Sequence, residues 1–380
     1  MKIAIDARVI ERRMSGIGRY LLGFLEWLTK LDKQNQYFLF SYEGLPKFQQ
    51  AGYKVIATGK NSIFRGKIYN FYWQEFILPQ LLKKYKIDIF FNPNHYLPLR
   101  KTSSKNIITI HDLSHKIEKE YKSFIYRFLY LDIILPKSAK KSDLILTVSE
   151  NSKKDILKYY FTQQKLINSA NKIKVIYLAA DEKFKPRSLA NDVLIANIRQ
   201  KYSLPEEFIL YVGRIEKRKN IKGIIEIAKL LPQMKFVLVG ESGYSGAEEL
   251  IREIQKQKNI YHLEFVEEED LPFIYNLGKI FLFPSFYEGF GLPVLEAMQS
   301  GLPVLTSNTS SLPEVVGDGG IMHSPDDYSS FSNDIEKLFK DNNFYQEMQK
   351  RALIQAKKFS WEKSTKEFIS LINLLCQKNF

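Results

Sequence analysis

Phe283–Glu314 reads FPSFYEGFGLPVLEAMQSGLPVLTSNTSSLPE. A short apolar run, Ile280–Phe283, ends in Pro284-Ser285, crosses a glycine-rich turn over Tyr287–Pro293 and opens into a helical pattern carrying Glu296. Glycines after a strand let the backbone approach a ligand, and the helix start that follows presents free N–H groups with a positive dipole. Glu288 in the turn and Glu296 on the helix, eight positions later, would point into one cleft. Carboxylates accept well from vicinal hydroxyls, whether of a ribose or a hexose. The stretch therefore fits a polyhydroxylated, phosphorylated ligand. It also fits an ordinary strand–turn–helix whose glycines merely turn the chain.

The same rhythm extends in both directions. Short β-branched runs at Lys2–Ile5, Tyr37–Phe40, Lys54–Ala57, Ile87–Phe91, Ile107–Ile110, Leu144–Val148 and Ile173–Ile176 read as strands. Helical patterns lie between them at Gly18–Lys30, Phe71–Tyr85, Phe124–Ala139 and Glu150–Tyr160. A polar stretch over Asp181–Leu204 reads as a linker, after which the alternation restarts: Phe208–Val212, Lys222–Leu231, Lys235–Val239, Ala247–Lys256, His262–Phe265, Leu271–Leu277, Ile280–Pro284, Leu292–Gln299, Pro303–Thr306 and Pro313–Val316. Trp361–Lys378 reads as a final amphipathic helix, and no internal repeat stands out. Alternating βα units that restart after a linker predict an α/β protein of two Rossmann-like, doubly wound domains facing a central cleft.

Three further loops leave strand ends, where ligands of such sheets bind. Gly213-Arg214-Ile215-Glu216-Lys217-Arg218-Lys219 follows Phe208–Val212. Gly213 permits a tight turn, Arg214 offers a planar fork for phosphate and Lys219 a mobile point charge, although a solvated basic loop has the same composition. Ser15-Gly16-Ile17-Gly18-Arg19-Tyr20 opens the first helix. It departs from a dinucleotide fingerprint because its third glycine falls at Gly23. His111 stands at the end of Ile107–Ile110, and His95, His262 and His323 read as ordinary satisfied polar groups.

Bulk properties narrow the class. The length of 380 residues with 45% hydrophobic content suits two globular domains. The start of the chain reads as no signal peptide, no run is long enough to span a bilayer, and the single Cys376 allows no internal disulfide, so a cytoplasmic protein is expected. No Asp-x-Asp or Cys/His pattern suggests a metal. Charge is uneven: residues 1–180 hold 31 Lys+Arg against 14 Asp+Glu, whereas the remaining 200 residues hold 25 against 28. In Lys119–Lys141 (KEYKSFIYRFLYLDIILPKSAKK) and Arg65–Lys86 the basic residues mix with aromatic and aliphatic ones. That mixture suits an anionic membrane surface. No helix-turn-helix or comparable motif supports nucleic acid.

Taken together, SGIGRY, IHDLSH, VGRIEKRKN and FPSFYEGFGLPVLEAMQSGLPVLTSNTSSLPEVVGDGG, in this order along the chain, resemble glycosyltransferase family 4, retaining enzymes of the GT-B fold. The N-terminal text is most similar to a bacterial mannosyltransferase-like branch that builds surface polysaccharides. The resemblance implies an acceptor-binding domain over 1–185, a nucleotide-sugar domain over 200–360 and a helix over 361–380 packing back on the first. It also implies roles. Arg214 and Lys219, beyond Gly213, would hold the donor diphosphate, and Glu296 the ribose. Glu288 with the backbone of Gly289, Phe290, Gly291 and Leu292 would take the sugar, His111 would contact it near C6, and Gly16 and Gly18 would border phosphate or acceptor. Phe265–Glu269 stands where members often carry a glycine before the base-binding loop. No cofactor beyond the donor is implied. The donor is GDP- or UDP-linked, with GDP-mannose favoured, and the work would be done at the inner face of the cytoplasmic membrane. The alternatives are a UDP-hexose enzyme of the same family, a GT-B-type nucleotide-sugar epimerase, and a non-catalytic nucleotide-sugar sensor.

Overall fold

All strands of the computed structural model run parallel, in two sheets of order β3-β2-β1-β4-β5-β6-β7 and β10-β9-β8-β11-β12-β13. The structure describes residues 1–11, 16–59, 67–117, 132–161, 170–187, 192–242 and 247–377. The chain divides into one unit of Met1–Leu178 with Trp361–Phe380 and a second of Ala179–Ser360. The first sheet contains β1 (Lys2–Asp6), β2 (Gln36–Ser41), β3 (Lys54–Ala57), β4 (Ile89–Asn92), β5 (Lys105–Ile110), β6 (Leu144–Thr147) and β7 (Ile173–Val175). The second contains β8 (Ile209–Val212), β9 (Phe236–Val239), β10 (Ile260–Leu263), β11 (Ile280–Phe283), β12 (Val304–Ser307) and β13 (Ile321–His323). Helices cover both faces of a parallel sheet, so its central strands read as continuous apolar runs; β4 (IFFN) and β11 (IFLF) are buried throughout. Strand order reverses between β1 and β4 and again between β8 and β11. Neighbouring strands there send their loops to opposite faces and leave room at the carboxyl ends.

In the first unit α1 (Gly16–Leu31) and the chain's last helix share one face of the sheet. Phe24 lies 6.5 Å from Phe91 of β4, 5.5 Å from Trp361 and 5.1 Å from Phe368. The other face is covered by α2 (Lys67–Tyr72), α3 (Leu78–Lys84), α4 (Leu135–Lys141) and α5 (Glu150–Tyr160). Their Tyr69, Leu78, Leu135 and Ile156 share one core with Phe90 and Ile108.

The expected continuous helix over Phe71–Tyr85 is broken by a π turn at Trp73–Ile77 between α2 and α3. Pro79 has no N–H to offer the Glu75 carbonyl and its ring crowds that turn; a widened turn removes the clash. The same solution recurs at 132–134, ahead of α4 and Pro136. The two segments read alike, ILPQLLKK at Ile77–Lys84 and ILPKSAKK at Ile134–Lys141. Of the expected helix Phe124–Ala139, residues 124–131 lie outside the described residues.

The second unit adds α6 (Asp192–Lys201), α7 (Ile221–Leu230), α8 (Ala247–Gln255), α9 (Leu271–Leu277), α10 (Leu292–Gln299), α11 (Leu312–Val316), α12 (Tyr328–Lys340) and α13 (Asn342–Ala356), and α14 (Trp361–Gln377) returns to the first. Three sequence expectations change. The polar stretch Asp181–Leu204 contains α6, held by buried Ile195 and Ile198. The strand expected at His262–Phe265 sits two residues earlier, because pairing Ile260 with Phe236 sets its register and leaves Phe265 exposed. Finally, β13, α12 and α13 complete the unit, both helices opening on aspartate caps, Asp327 to the Ser330 N–H and Asp341 to the Phe344 N–H.

Gly23 and Gly16 of α1 make a controlled pair. A Cβ on Gly23 would lie 2.2 Å from the Trp361 ring, whereas one on Gly16 meets nothing within 4 Å. Gly23→Ala is expected to cost about 1–3 kcal/mol of stability despite better helix propensity. Gly16→Ala should stay within about 0.5 kcal/mol of wild type. Urea unfolding compares them, and equal midpoints would show that α14 does not press on α1.

Candidate active site

Register places β8 beside β11, with Ile209 opposite Ile280 and Leu210 opposite Phe281. The loops leaving their carboxyl ends, Gly213–Asn220 and Pro284–Gly291, therefore meet although far apart in sequence. Glu288 is buried at that meeting. Its carboxylate accepts from Lys219 Nζ at 2.7 and 2.8 Å, from Ser285 Oγ at 2.6 Å and from Arg218 Nη1 at 3.3 Å. Arg218 also donates to the Tyr287 carbonyl at 2.6 Å and pairs with Glu216. Burial pushes the Glu288 carboxyl up; Lys219 and Arg218 outweigh it, and the group ends below the usual glutamate range. Lys219 is lowered by burial and by Arg218, against the pull of Glu288.

The backbone around the pair is fixed by short polar side chains. Asn220 takes the left-handed conformation (φ 55°), caps α7 by accepting from the Gly223 N–H at 3.0 Å, and donates to the Pro284 and Pro325 carbonyls at 3.0 and 2.7 Å. The Glu288 N–H donates to Ser310 Oγ at 2.9 Å, and Ser311 Oγ lies 2.9 Å from both the Glu288 and Phe290 carbonyls. Gly291 begins α10 at φ 105°, where a Cβ would approach Leu312 at 2.8 Å. A Cβ on Gly240, just past β9, would reach the Gly213 carbonyl at 1.8 Å. Bare backbone is required there for the first loop to lie where it does.

The remaining sequence candidates fall into distinct surroundings. Glu296 is buried on α10 and accepts from the Tyr275 hydroxyl at 2.9 Å. The Arg214 carbonyl accepts from Tyr211 OH at 2.9 Å while its residue is exposed. Gly289, Phe290 and Gly291 are buried, Leu292 is half-buried, and the Phe290 ring meets Phe359 edge-on at 5.8 Å.

In the first unit, Gly16 and Gly18 open α1; Ser15 of that loop lies outside the described residues. Two residues after Gly18, Tyr20 bonds Thr109 Oγ1 at 2.9 Å and meets the His111 ring edge-on at 4.8 Å, joining the glycine loop to the end of β5. His111 Nε2 lies 2.9 Å from the Pro93 carbonyl. A carbonyl only accepts, so Nε2 carries the proton and Nδ1 is left as an acceptor. Burial pushes His111 down, His95 to about 3 and His115 to about 4, so the three rings are neutral at physiological pH. His262 and His323 are partnered by the Gly240 carbonyl and Asp334.

Arg218, Ser285, Tyr275 and the serines at 310 and 311 are the residues that sequence reasoning passed over. Arg218 was one cation in a basic run, and of its two acidic partners Glu216 is local whereas Glu288 lies 70 positions away. Only strand pairing makes them neighbours.

Two parallel α/β units, one with a cation–carboxylate cluster at its switch point, define an enzyme of the GT-B type. Residues 14–184 match the family described as Glycosyltransferase Family 4, and residues 195–378 match Glycosyl transferases group 1. O-antigen chain mannosyltransferase B of Escherichia coli is 34% identical, the match covering 99% of this chain and 100% of that protein. O-antigen chain mannosyltransferase RfbU of Salmonella typhimurium is 26% identical over 85% of this chain and 87% of that one. Among solved structures, sucrose-phosphate synthase from Thermosynechococcus elongatus superposes with a TM-score of 0.76 at 18% identity, covering 99% of each chain. The chain belongs to glycosyltransferase family 4.

Two outcomes follow from the buried pair. Lys219→Met strands a buried carboxylate and should cost about 3–5 kcal/mol in urea unfolding, whereas Lys219→Met with Glu288→Leu should recover most of it. A double variant no more stable than the single would show that the pair is not the coupling. The second concerns acid. With its folded pKa depressed, Glu288 contributes stability that is complete above the ordinary carboxyl range and is lost as pH falls through the folded value. Glu288→Gln should flatten that part of the acid unfolding profile, and an unchanged profile would refute the assignment.

Proposed function

We propose that the chain is a retaining mannosyltransferase that moves mannose from GDP-mannose to a growing or lipid-linked glycan in surface polysaccharide synthesis. The Lys219–Glu288–Arg218 cluster beside the glycine-rich turn carries this reading: a buried lysine and a half-buried arginine in the loop after a strand suit a leaving diphosphate. The O-antigen mannosyltransferases among the relatives support the choice of mannose and of a polysaccharide product.

In this reading Arg214 and Lys219 bind the diphosphate and neutralise it as it leaves. Glu296, oriented by Tyr275, takes the ribose hydroxyls. The backbone of Gly289–Leu292 and Glu288 take the mannose; the 3.3 Å contact to Arg218, the longest on that carboxylate, is the one a sugar hydroxyl replaces. His111 offers Nδ1 to a sugar hydroxyl, and Gly16 and Gly18 border the phosphates or the acceptor. The bond from C1 to the diphosphate oxygen breaks while the acceptor oxygen bonds C1 on the same face. The acceptor's proton passes to the departing phosphate. Positioning and charge neutralisation supply the rate enhancement without a bound metal ion. The site of action is the inner face of the cytoplasmic membrane, with the basic first half toward anionic lipid.

A panel of nucleotide sugars tests the donor. GDP-mannose is expected to raise the melting temperature most, by mass action, and to be consumed with retention in the presence of EDTA. Preference for a UDP-hexose, or release of an epimerised nucleotide sugar, would overturn the mannose assignment. Arg214→Ala and Lys219→Ala should each lower kcat about 10²–10³-fold, and a folded double variant with full turnover would remove both from the mechanism.

A further inference from the structure

We infer that the outer surface of the α2–α3 and α4 layer in the first unit is a docking surface for an anionic lipid bilayer. The inference rests on the membrane-face reading above and gives it residues. Phe71 (46% exposed), Tyr72 (39%), Phe76 (39%) and Leu99 (49%) leave large apolar groups in water on a layer whose inner side is fully packed. They are organised rather than scattered. Tyr72 stacks on Phe76 at 5.2 Å, and the Arg100 guanidinium lies over Phe76 at 4.5 Å. Lys141 donates to the Pro98 and Arg100 carbonyls, which fastens the β4–β5 connection, with Leu99 at its crest, onto α4.

A groove of about 400 Å³ runs beside this crest, with Leu97, Pro98 and Leu99 on one side and Lys137, Lys140 and Lys141 on the other. Lys101, Lys137 and Lys140 are exposed around it. Opposing charge has been withdrawn. The surface-forming stretches 67–84, 96–101 and 132–141 contain two acids only, Glu75 and Asp132. Glu75 is buried, holding Tyr96 OH and the Leu99 N–H at 3.0 and 2.9 Å, and Asp132 is paired with Lys116.

This combination selects its occupant. Stacked rings and an aliphatic crest gain by entering an apolar phase, while lysines on long stems reach phosphates at the boundary of that phase. An anionic bilayer supplies both, whereas a soluble polyanion supplies only charge. Among the described residues no helix is long and apolar enough to cross a membrane, so the contact is one of lying on the surface. The π turn places the exposed rings: Trp73 and Glu75 point inward on the same turn that puts Tyr72 and Phe76 outward.

The test sediments the full-length protein with vesicles of phosphatidylcholine alone and of phosphatidylcholine containing phosphatidylglycerol. Wild type should bind only the latter and be released by salt. Phe71→Ser, Tyr72→Ser, Phe76→Ser combined should lower vesicle affinity about tenfold or more. Lys137→Gln with Lys140→Gln, both at exposed positions and safe for folding, should lower it about fivefold per lysine. Donor hydrolysis in solution should be the same in every variant. Vesicle binding without any nucleotide-sugar turnover would defeat the functional reading and leave this surface standing. Wild type that ignores anionic vesicles, variants that bind as wild type does, or equal affinity for single-stranded DNA at the same salt would each overturn the surface.

Discussion

Removing an ionised carboxylate from water costs several kcal/mol unless partners replace its hydration. Glu288 satisfies that demand with an ammonium, a guanidinium and a serine hydroxyl, and the demand dictates its neighbourhood. Lys219 must end in a fixed place, so Asn220 accepts a left-handed backbone and ties the loop to the Pro284 carbonyl. The glycine-rich turn must present the carboxylate inward, so Ser310 and Ser311 hold its backbone on both sides. Gly240 must lack a side chain for the Gly213 loop to cross it. Charge, cap and close approach are one arrangement, built where β8 and β11 diverge.

The first unit repeats the device with a different emphasis. At the end of β1, Asp6 pairs with Arg8 at 2.6 Å, and the guanidinium lies 3.5 Å over the Trp73 ring while donating to Gln74 and Tyr42. Burial would lower Arg8, but Asp6 and Tyr42 together raise it. Lys219 has a comparable aromatic floor in Phe283, 5.0 Å away. The difference lies in sequence separation. Asp6 and Arg8 are two residues apart and clamp the π turn to the sheet, a scaffolding task. Lys219 and Glu288 come from the loops that follow neighbouring strands and stand beside bare glycine backbone, where a ligand's phosphate and hydroxyls can be received.

Much of this was legible before any coordinates. Strands buried on both faces announce themselves as runs such as IFFN and IFLF, and the loops after such strands are where the sequence directs attention. Lys219, Glu288 and Glu296 were named from residue type and position alone. Their partners were not, because the spacing between Lys219 and Glu288 carries no local signal; a sheet reversal makes them neighbours. In the structure the Glu288 carboxylate bonds Lys219 and the Glu296 carboxylate bonds Tyr275. The displaced β10 has the same origin, since its register answers to Phe236 and not to its own apolar pattern. The π turns were foreshadowed by Pro79 and Pro136, read only as parts of longer helices.

Charge distribution completes the contrast between the units. In the second, prominent cations are spent on partners: Lys219 on Glu288, Arg218 on Glu216, Lys183 on Glu268, Lys201 on Asp270. Residues 179–360 accordingly carry 22 basic against 26 acidic side chains. In the first, helices α3 and α4 both finish in Lys-Lys, where the cations complement the helix dipole and the last carbonyls. Neutralising a dipole end leaves the field of a full positive charge largely intact at the surface. The twin ILPxxxKK segments thus solve two problems with one text. At Pro79 the proline opens the turn that turns Tyr72 and Phe76 outward, and in both segments the paired lysines stabilise the helix end while leaving the excess of 31 over 14 in residues 1–180 uncancelled. Exposed ion pairs contribute little stability, so leaving those lysines without opposing acids costs the fold little while it keeps their charge at the surface.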